Sequence, residues 1–411
     1  MIPREGSVVA CAGRGRPTAR EGVSALTEIL KPPTGVYSRR TFLRMAGATT
    51  LLASSPGLLA ACGGGGESSG EVGGTFNLFQ WAGYDGVDAL KELDWYAENK
   101  LEVNLKPITT PGGIPTVIKG PGGDQWDASS ANQGDAEYYQ SIGISSEITP
   151  DEVPALDKML PFFKDGSFWK ISDGVYNSVP WTWGPIGFNG RPDRIPEGSI
   201  TSYQDLVKPE FKNRLETFDD ALNMIATGAV ASGIDPSTVT REQLNGPIKD
   251  YLTKLRPNLK VLATSLGDQI NNLVSGDVDG TLVGFNWAVL EAAKQNTEIY
   301  FLVPEKEGSF GFCDAVFIPP SAPHRANALA YANALIEGET AVTMQGYLNQ
   351  LSTNPDVIDQ ASTVTRGLYP EDLDTYTSQT LKWNKSYNDP AGEYATIAEW
   401  TKLWEDVKAQ G

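Results

Sequence analysis

The 411-residue chain carries 51 Asp and Glu against 33 Lys and Arg, a formal net charge of −18 at pH 7. A field of that sign repels nucleic acid and anionic lipid and attracts cations, although solubility alone also accounts for it. A single histidine, His324, and three cysteines, Cys11, Cys62 and Cys313, exclude most Ser-His-Asp, Cys-His and His-metal sites and any internal disulfide framework.

The first informative stretch in chain order is a targeting signal. Ser38-Arg39-Arg40-Thr41-Phe42-Leu43-Arg44 leads into an apolar run over 45–59, and Leu59-Ala60-Ala61-Cys62 follows. Basic residues, an apolar run and small residues before a cut make an export signal. The cysteine directly after Leu-Ala-Ala resembles the lipobox of bacterial lipoproteins, which implies cleavage before Cys62 and a diacylglyceryl group on it. The Arg39-Arg40 pair resembles a twin-arginine (Tat) signal, which implies export of a folded chain. A transmembrane anchor is the competing reading. However, residues 45–61 are broken by Ser54, Ser55, Pro56 and Gly57 and fall short of the roughly 20 apolar residues that a span needs. Residues 1–37 exceed what such a signal requires, and a start codon set too far upstream is the expected reason. The Gly- and Ser-rich residues after Cys62 read as a flexible tether. Removal of residues 1–61 takes away eight basic and three acidic residues. That leaves 25 basic against 48 acidic over 350 residues, a net of −23 and enough chain for two packed domains.

Beyond the tether, the aromatic-rich residues 75–81 predict a strand. Val87, Leu90, Leu93 and Tyr96 fall at helical spacing, and Leu101-Glu102-Val103-Asn104-Leu105 alternates as a second strand. Strand, helix and strand at this spacing form a βαβ unit and predict a parallel sheet. Residues 111–123 read as a Gly/Pro loop, 126–130 as a short strand and 135–142 as a helix. Residues 179–189 predict a strand passing between lobes. Helices are expected near 202–207, after Asp219-Asp220, and over 247–255 with Pro247 at the first helical position. A strand at 261–263, a helix at 266–275 and a strand at 280–285 follow. Residues 310–318 read as a return crossing, and 325–337 and 397–408 as amphipathic helices. His324 is expected at a solvated helix start, not as a ligand.

Five stretches resemble the spermidine/putrescine-binding proteins of ABC transporters. They are Phe79-Gln80-Trp81-Ala82-Gly83-Tyr84, Trp126-Asp127, the Pro180-Trp181-Thr182-Trp183-Gly184 core, Ser202-Tyr203-Gln204-Asp205-Leu206 with Phe218-Asp219-Asp220-Ala221, and Ser275-Gly276-Asp277-Val278-Asp279-Gly280. The resemblance covers roughly residues 74–411. It implies an α/β, two-lobed type II periplasmic-binding-protein fold, each lobe a mostly parallel sheet flanked by helices, with the ligand cleft between them. The expected division is a removed signal region at 1–61, a tether at 62–73, and a first lobe at 74–186 with a return segment at 310–350. The second lobe spans 187–309, joined by C-terminal helices at 351–411.

The resemblance also implies the site. Trp81 and Tyr84 match ligand-stacking aromatics, with core packing as the alternative. Asp220 matches a cleft acid, with a helix cap as its alternative; Asp219 could serve as that cap and leave Asp220 free. Phe285 stands at an aromatic position, and Trp287 adds ring area. Phe312 and Asp314 match an aromatic–x–Asp pair whose acid meets an amine. Asp314 also carries the strongest argument from its own surroundings, because an acid between Phe312 and Ala315-Val316-Phe317 is costly without a charged partner. Gln350 and Asn384 match polar positions, and Asn132 and Gln133 stand where the family has a Pro-Ser-aromatic loop. Gly83 and Asn223 replace two family acids, which points to one or two ligand charges, putrescine before spermidine. An opine-like compound or a zwitterion stays open.

No cofactor, metal or catalysis is implied. The enzyme alternative is an extracytoplasmic carboxylate-dependent hydrolase, for which adjacent or alternate acids such as Asp219/Asp220 and Asp277/Asp279 rarely present both carboxyls across one scissile bond. The expected partners are a small cationic solute, a membrane permease and, through Cys62, the membrane itself, with the chain a monomer. A receptor that signals through a membrane sensor shares the same sequence features.

Overall fold

The computed structural model describes residues 71–81, 84, 94–108 and 113–410, so Arg39, Arg40, Cys62 and Gly83 lie outside the described residues. The apolar alternation of 74–81 forms β1 (Gly74–Trp81), which pairs in parallel with β2 (Leu101–Ile108) and β3 (Ala128–Asn132). A short helix, Asp94–Asn99, links the first two strands, as the βαβ spacing predicts. The long strands β4 (Val179–Gly190) and β8 (Ser309–Phe317) run antiparallel to each other. Beyond them lie β5 (Leu215–Phe218), β6 (Leu259–Ala263) and β7 (Gly280–Phe285), giving the order β2-β1-β3-β8-β4-β7-β5-β6.

Each half of this sheet has its own apolar core, and the two long strands serve both. On β4, Trp181 and Trp183 enter the first core and Ile186 and Phe188 the second. On β8, Phe310 and Phe312 pack in the second core, Cys313 and Val316 in the first. The change of core therefore falls at 183–186 and at 312–313, the level at which both strands cross between lobes. Ligands of α/β folds bind at such points, where the topology turns over.

Several expectations need correction. Residues 114–119, inside the expected loop, form a helix, because Ile114 and Ile118 bury themselves one turn apart under the sheet. A further helix, Glu339–Leu348, was not expected at all. Pro247 does open its helix as expected, directly after the break at Gly246, but a short turn capped by Thr240 runs into it from the N-terminal side. Leu351, Ile358, Tyr369, Leu381 and Trp383, expected with the second lobe, pack in the first core, whereas Trp400, Leu403 and Trp404 join the second. His324 does precede a helix, but its backbone N–H donates to Asp127 Oδ1 at 2.6 Å and its ring Nδ1 lies 3.1 Å from Oδ2. The helices used below are α1 (Gln133–Ser141), α2 (Ala221–Ala231), α3 (Leu266–Ser275), α4 (Ala288–Lys294), α5 (Arg325–Ala334), α6 (Glu339–Leu348) and α7 (Ile397–Lys408). Among the described residues no helix is long and apolar enough to cross a membrane.

Candidate ligand site at the strand crossing

Side chains alternate along a strand, and cross-strand partners share a face. Asp314 on β8 is paired with Asn132 on β3 and with Thr182 on β4, so all three side chains stand in one row. Two residues earlier Phe312 stands on the same face opposite Gly184. A Cβ on Gly184 would meet the Phe312 ring at 3.0 Å, so any larger residue would have to displace that ring by a few tenths of an ångström. The other face of the same strands carries Trp183 and Cys313 into the core.

Asp314 is the centre of the row. Its Oδ2 accepts from the Tyr84 hydroxyl at 2.5 Å and its Oδ1 from Asn132 Nδ2 at 3.2 Å. Gln350 Oε1 closes the group, accepting from Thr182 Oγ1 at 3.0 Å and lying 3.4 Å from the Tyr84 oxygen. Burial pushes the Asp314 carboxyl up to about 6, against the lowering effect of those two donors. The same burial, with the Asp314 charge beside it, raises the Tyr84 hydroxyl well above its usual range, so Tyr84 stays a donor. Tyr84 also packs edge-on against Trp181, with ring centroids 5.3 Å apart.

A second group is aromatic. Phe285 at the end of β7 stacks on Trp287 at 5.5 Å and meets Phe312 edge-on at 5.6 Å. Trp81, half-buried, packs against the separate cluster around Phe79 and Trp126, and its indole N–H has no acceptor among the described residues. Gln133 and Asn384 are joined to each other, Gln133 Nε2 donating to Asn384 Oδ1 at 2.5 Å, while Gln133 Oε1 accepts from the Cys313 backbone at 2.8 Å. Those bonds tie β8 to the start of α1 and the C-terminal segment, which positions Asp314.

At the helix start the cap is Asp220 and not Asp219. Asp220 caps α2, accepting from the Leu222 and Asn223 backbone at 3.4 and 3.1 Å and from Asn223 Nδ2 at 2.7 Å. Asp219 turns away to Lys408 Nζ at 3.0 Å and Trp404 Nε1 at 2.7 Å on α7. Asp220 remains within electrostatic reach of Asp135. Asn caps as well as Asp, so Asp220→Ala should cost about 1 kcal/mol of stability and Asp220→Asn only a few tenths. Urea midpoints of the two variants check this.

One acid has no counterpart among the expected site residues. Asp135, in the first turn of α1, is 9% exposed and accepts from Ser386 Oγ at 3.1 Å. Burial, then the charges of Asp220 and Asp314, push it up to about 6. In sequence it reads as an ordinary first-turn acid favoured by the helix dipole.

The profile of the family described as bacterial extracellular solute-binding protein matches residues 94–371. The chain belongs to that family. Solute-binding proteins of this family bind a solute outside the cytoplasm. One curated relative is the putrescine-binding periplasmic protein PotF of Escherichia coli, 24% identical over 380 residues, 87% of this chain and 95% of that one. Among solved structures, the spermidine/putrescine substrate-binding protein PotD of Streptococcus pneumoniae superposes with a TM-score of 0.65 at 19% identity, over 82% of this chain and 98% of its own. MotA of A. tumefaciens B6, solved with glucopine, gives a TM-score of 0.60 at 14% identity over 81% and 99%. Both structures share the two-lobed α/β fold with this solute-binding protein.

Proposed function

We propose that this chain is an extracytoplasmic receptor that captures a small cationic amine, putrescine- or spermidine-like, in its interlobe cleft and delivers it to the permease of an ABC importer. The observation that carries the reading is Asp314. It is a buried carboxylate held by two neutral donors, with no Lys or Arg bonded to it among the described residues, and it stands two residues from an aromatic group. Such a carboxylate is costly to ionise unless a cation arrives, and ring faces suit both ammonium groups and the methylenes between them. The names of PotF and PotD support the same ligand class. Capture needs no covalent step, so the chain is read as a binding protein and not as an enzyme. Arg39-Arg40 and Cys62 complete the proposal as the Tat signal and the lipid-bearing residue, with 1–61 removed and 62–73 as tether.

A zwitterionic ligand is the second reading. Asn223, which replaces a family acid, brings no charge of its own and occupies Asp220 Oδ2 as a donor, which leaves less anionic acceptor for a second amine. Isothermal titration of the chain with putrescine, spermidine and GABA separates the two. The amine reading expects binding at about micromolar Kd or tighter for a polyamine and a much weaker response to GABA. Heat with GABA alone moves the specificity to zwitterions, and heat with none of the three overturns the amine reading.

A further inference from the structure

We propose that Asp135 is the second carboxylate of this site, receiving one ammonium of a diamine whose other ammonium lies on Asp314. The inference rests on the amine-binding reading above.

Position comes first. Asn132 caps α1 through its Oδ1, which accepts from Gly134 N at 3.3 Å, while its Nδ2 reaches Asp314. The first turn of α1, and Asp135 with it, is thereby fixed beside the Asp314 row. From the other side the Ser386 backbone N–H donates to Gly134 O at 3.0 Å and the Ser386 hydroxyl to Asp135, so the carboxyl is held from both flanks.

Unsatisfied capacity comes second. A carboxylate offers about four lone-pair directions. Asp220 already receives three donors from the start of α2, and Asp314 two. Asp135 receives one, on Oδ1, and its Oδ2 accepts from no described residue. The basic side chain nearest in sequence to Ser386, Lys385, is engaged with Glu137 at 2.5 Å. A favourable helix-dipole interaction of about 0.3–1 kcal/mol offsets only part of what burying this charge costs.

Charge spacing comes third. Asp135 feels both Asp220 and Asp314, which raise it further. Yet among the described residues no three acidic, His or Cys groups gather tightly enough to hold one metal ion. Carboxylates that repel one another without forming such a cluster suit a ligand with more than one positive charge. Asp135 thus restores the anionic capacity that Gly83 and Asn223 remove.

The test titrates putrescine and butylamine into the full chain and its Asp135→Asn variant, with melting curves of both free proteins. Asp135→Asn should lower putrescine affinity by about tenfold or more, change butylamine affinity by less than about threefold, and leave the free protein at least as stable. Asp135→Glu, which advances the charge by one methylene, should move the optimum from 1,4-diaminobutane toward 1,3-diaminopropane. A variant pair that keeps the parent's diamine-to-monoamine ratio and length preference overturns the inference while the amine reading stands. A parent chain that binds neither amine overturns that reading and the inference with it.

Discussion

Asp314→Asn is expected to weaken putrescine binding by about 100- to 1,000-fold at pH 7.5 while the free protein becomes no less stable. The two effects have opposite signs for one physical reason. In the free chain the Asp314 carboxyl is raised to about 6 by burial, so at pH 7.5 it is ionised at a cost that Tyr84 and Asn132 only partly offset. An uncharged amide of the same shape removes that cost. In the proposed complex the same carboxylate would face an ammonium inside a water-poor cleft, and truncating one partner of such a pair costs about 2–5 kcal/mol. Titration calorimetry reads the affinity and thermal melting the stability. The pH dependence supplies an internal control. Because the folded value lies above the usual 3.8, protonation takes the charge from the parent site as pH falls through about 6, so the parent's advantage over the variant should shrink by about tenfold between pH 7.5 and pH 5. A variant that loses stability and affinity together would place Asp314 in the framework of the fold and not against the ligand.

Which parts of this arrangement can be read from the residues alone follows from the range of the forces involved. Strands β1, β4, β7 and β8 and helices α3 and α7 depend on local alternation or helical spacing, and they appear at or within a residue or two of their expected bounds. Asp314 is legible because an acid inside an apolar strand is locally anomalous. Which of Asp219 and Asp220 caps α2 is not legible, since adjacent acids compete for one cap and the decision is made by Lys408 and Trp404, far along the chain. Gln133 and Asn384 look like free polar groups until the fold brings them together. Asp135 is hidden for a similar reason. A first-turn acid on a solvated helix and one pressed against a cleft share the same local sequence, and only the docking of the 384–386 segment distinguishes them. The helix at 114–119 is masked by the glycines and prolines on either side of it.

A second large effect lies away from the cleft, in the core of the second lobe. Glu216 on β5 is fully buried, with Oε2 accepting from Asn272 Nδ2 of α3 at 2.9 Å and Oε1 without a partner among the described residues. Burial first, and the nearby Asp268 charge after it, raise its carboxyl from 4.5 to about 8. The folded state therefore holds a proton that the unfolded chain releases above about 4.5. The stabilisation from this group is complete below that pH, declines by about 1.4 kcal/mol per pH unit, and is lost once pH passes about 8. The sum is on the order of 4–5 kcal/mol. Asp135 and Asp314 lose their own contributions in the same direction, but by about pH 6, so the interval from pH 6.5 to 8.5 isolates Glu216. Glu216→Gln, an amide that mimics the protonated acid, is expected to flatten the fall in urea midpoint across that interval and to leave the chain more stable than its parent at pH 8.5. Equal slopes for the two proteins between pH 6.5 and 8.5 would mean that Glu216 is already ionised in the folded lobe, with a counter-charge or solvent reaching Oε1.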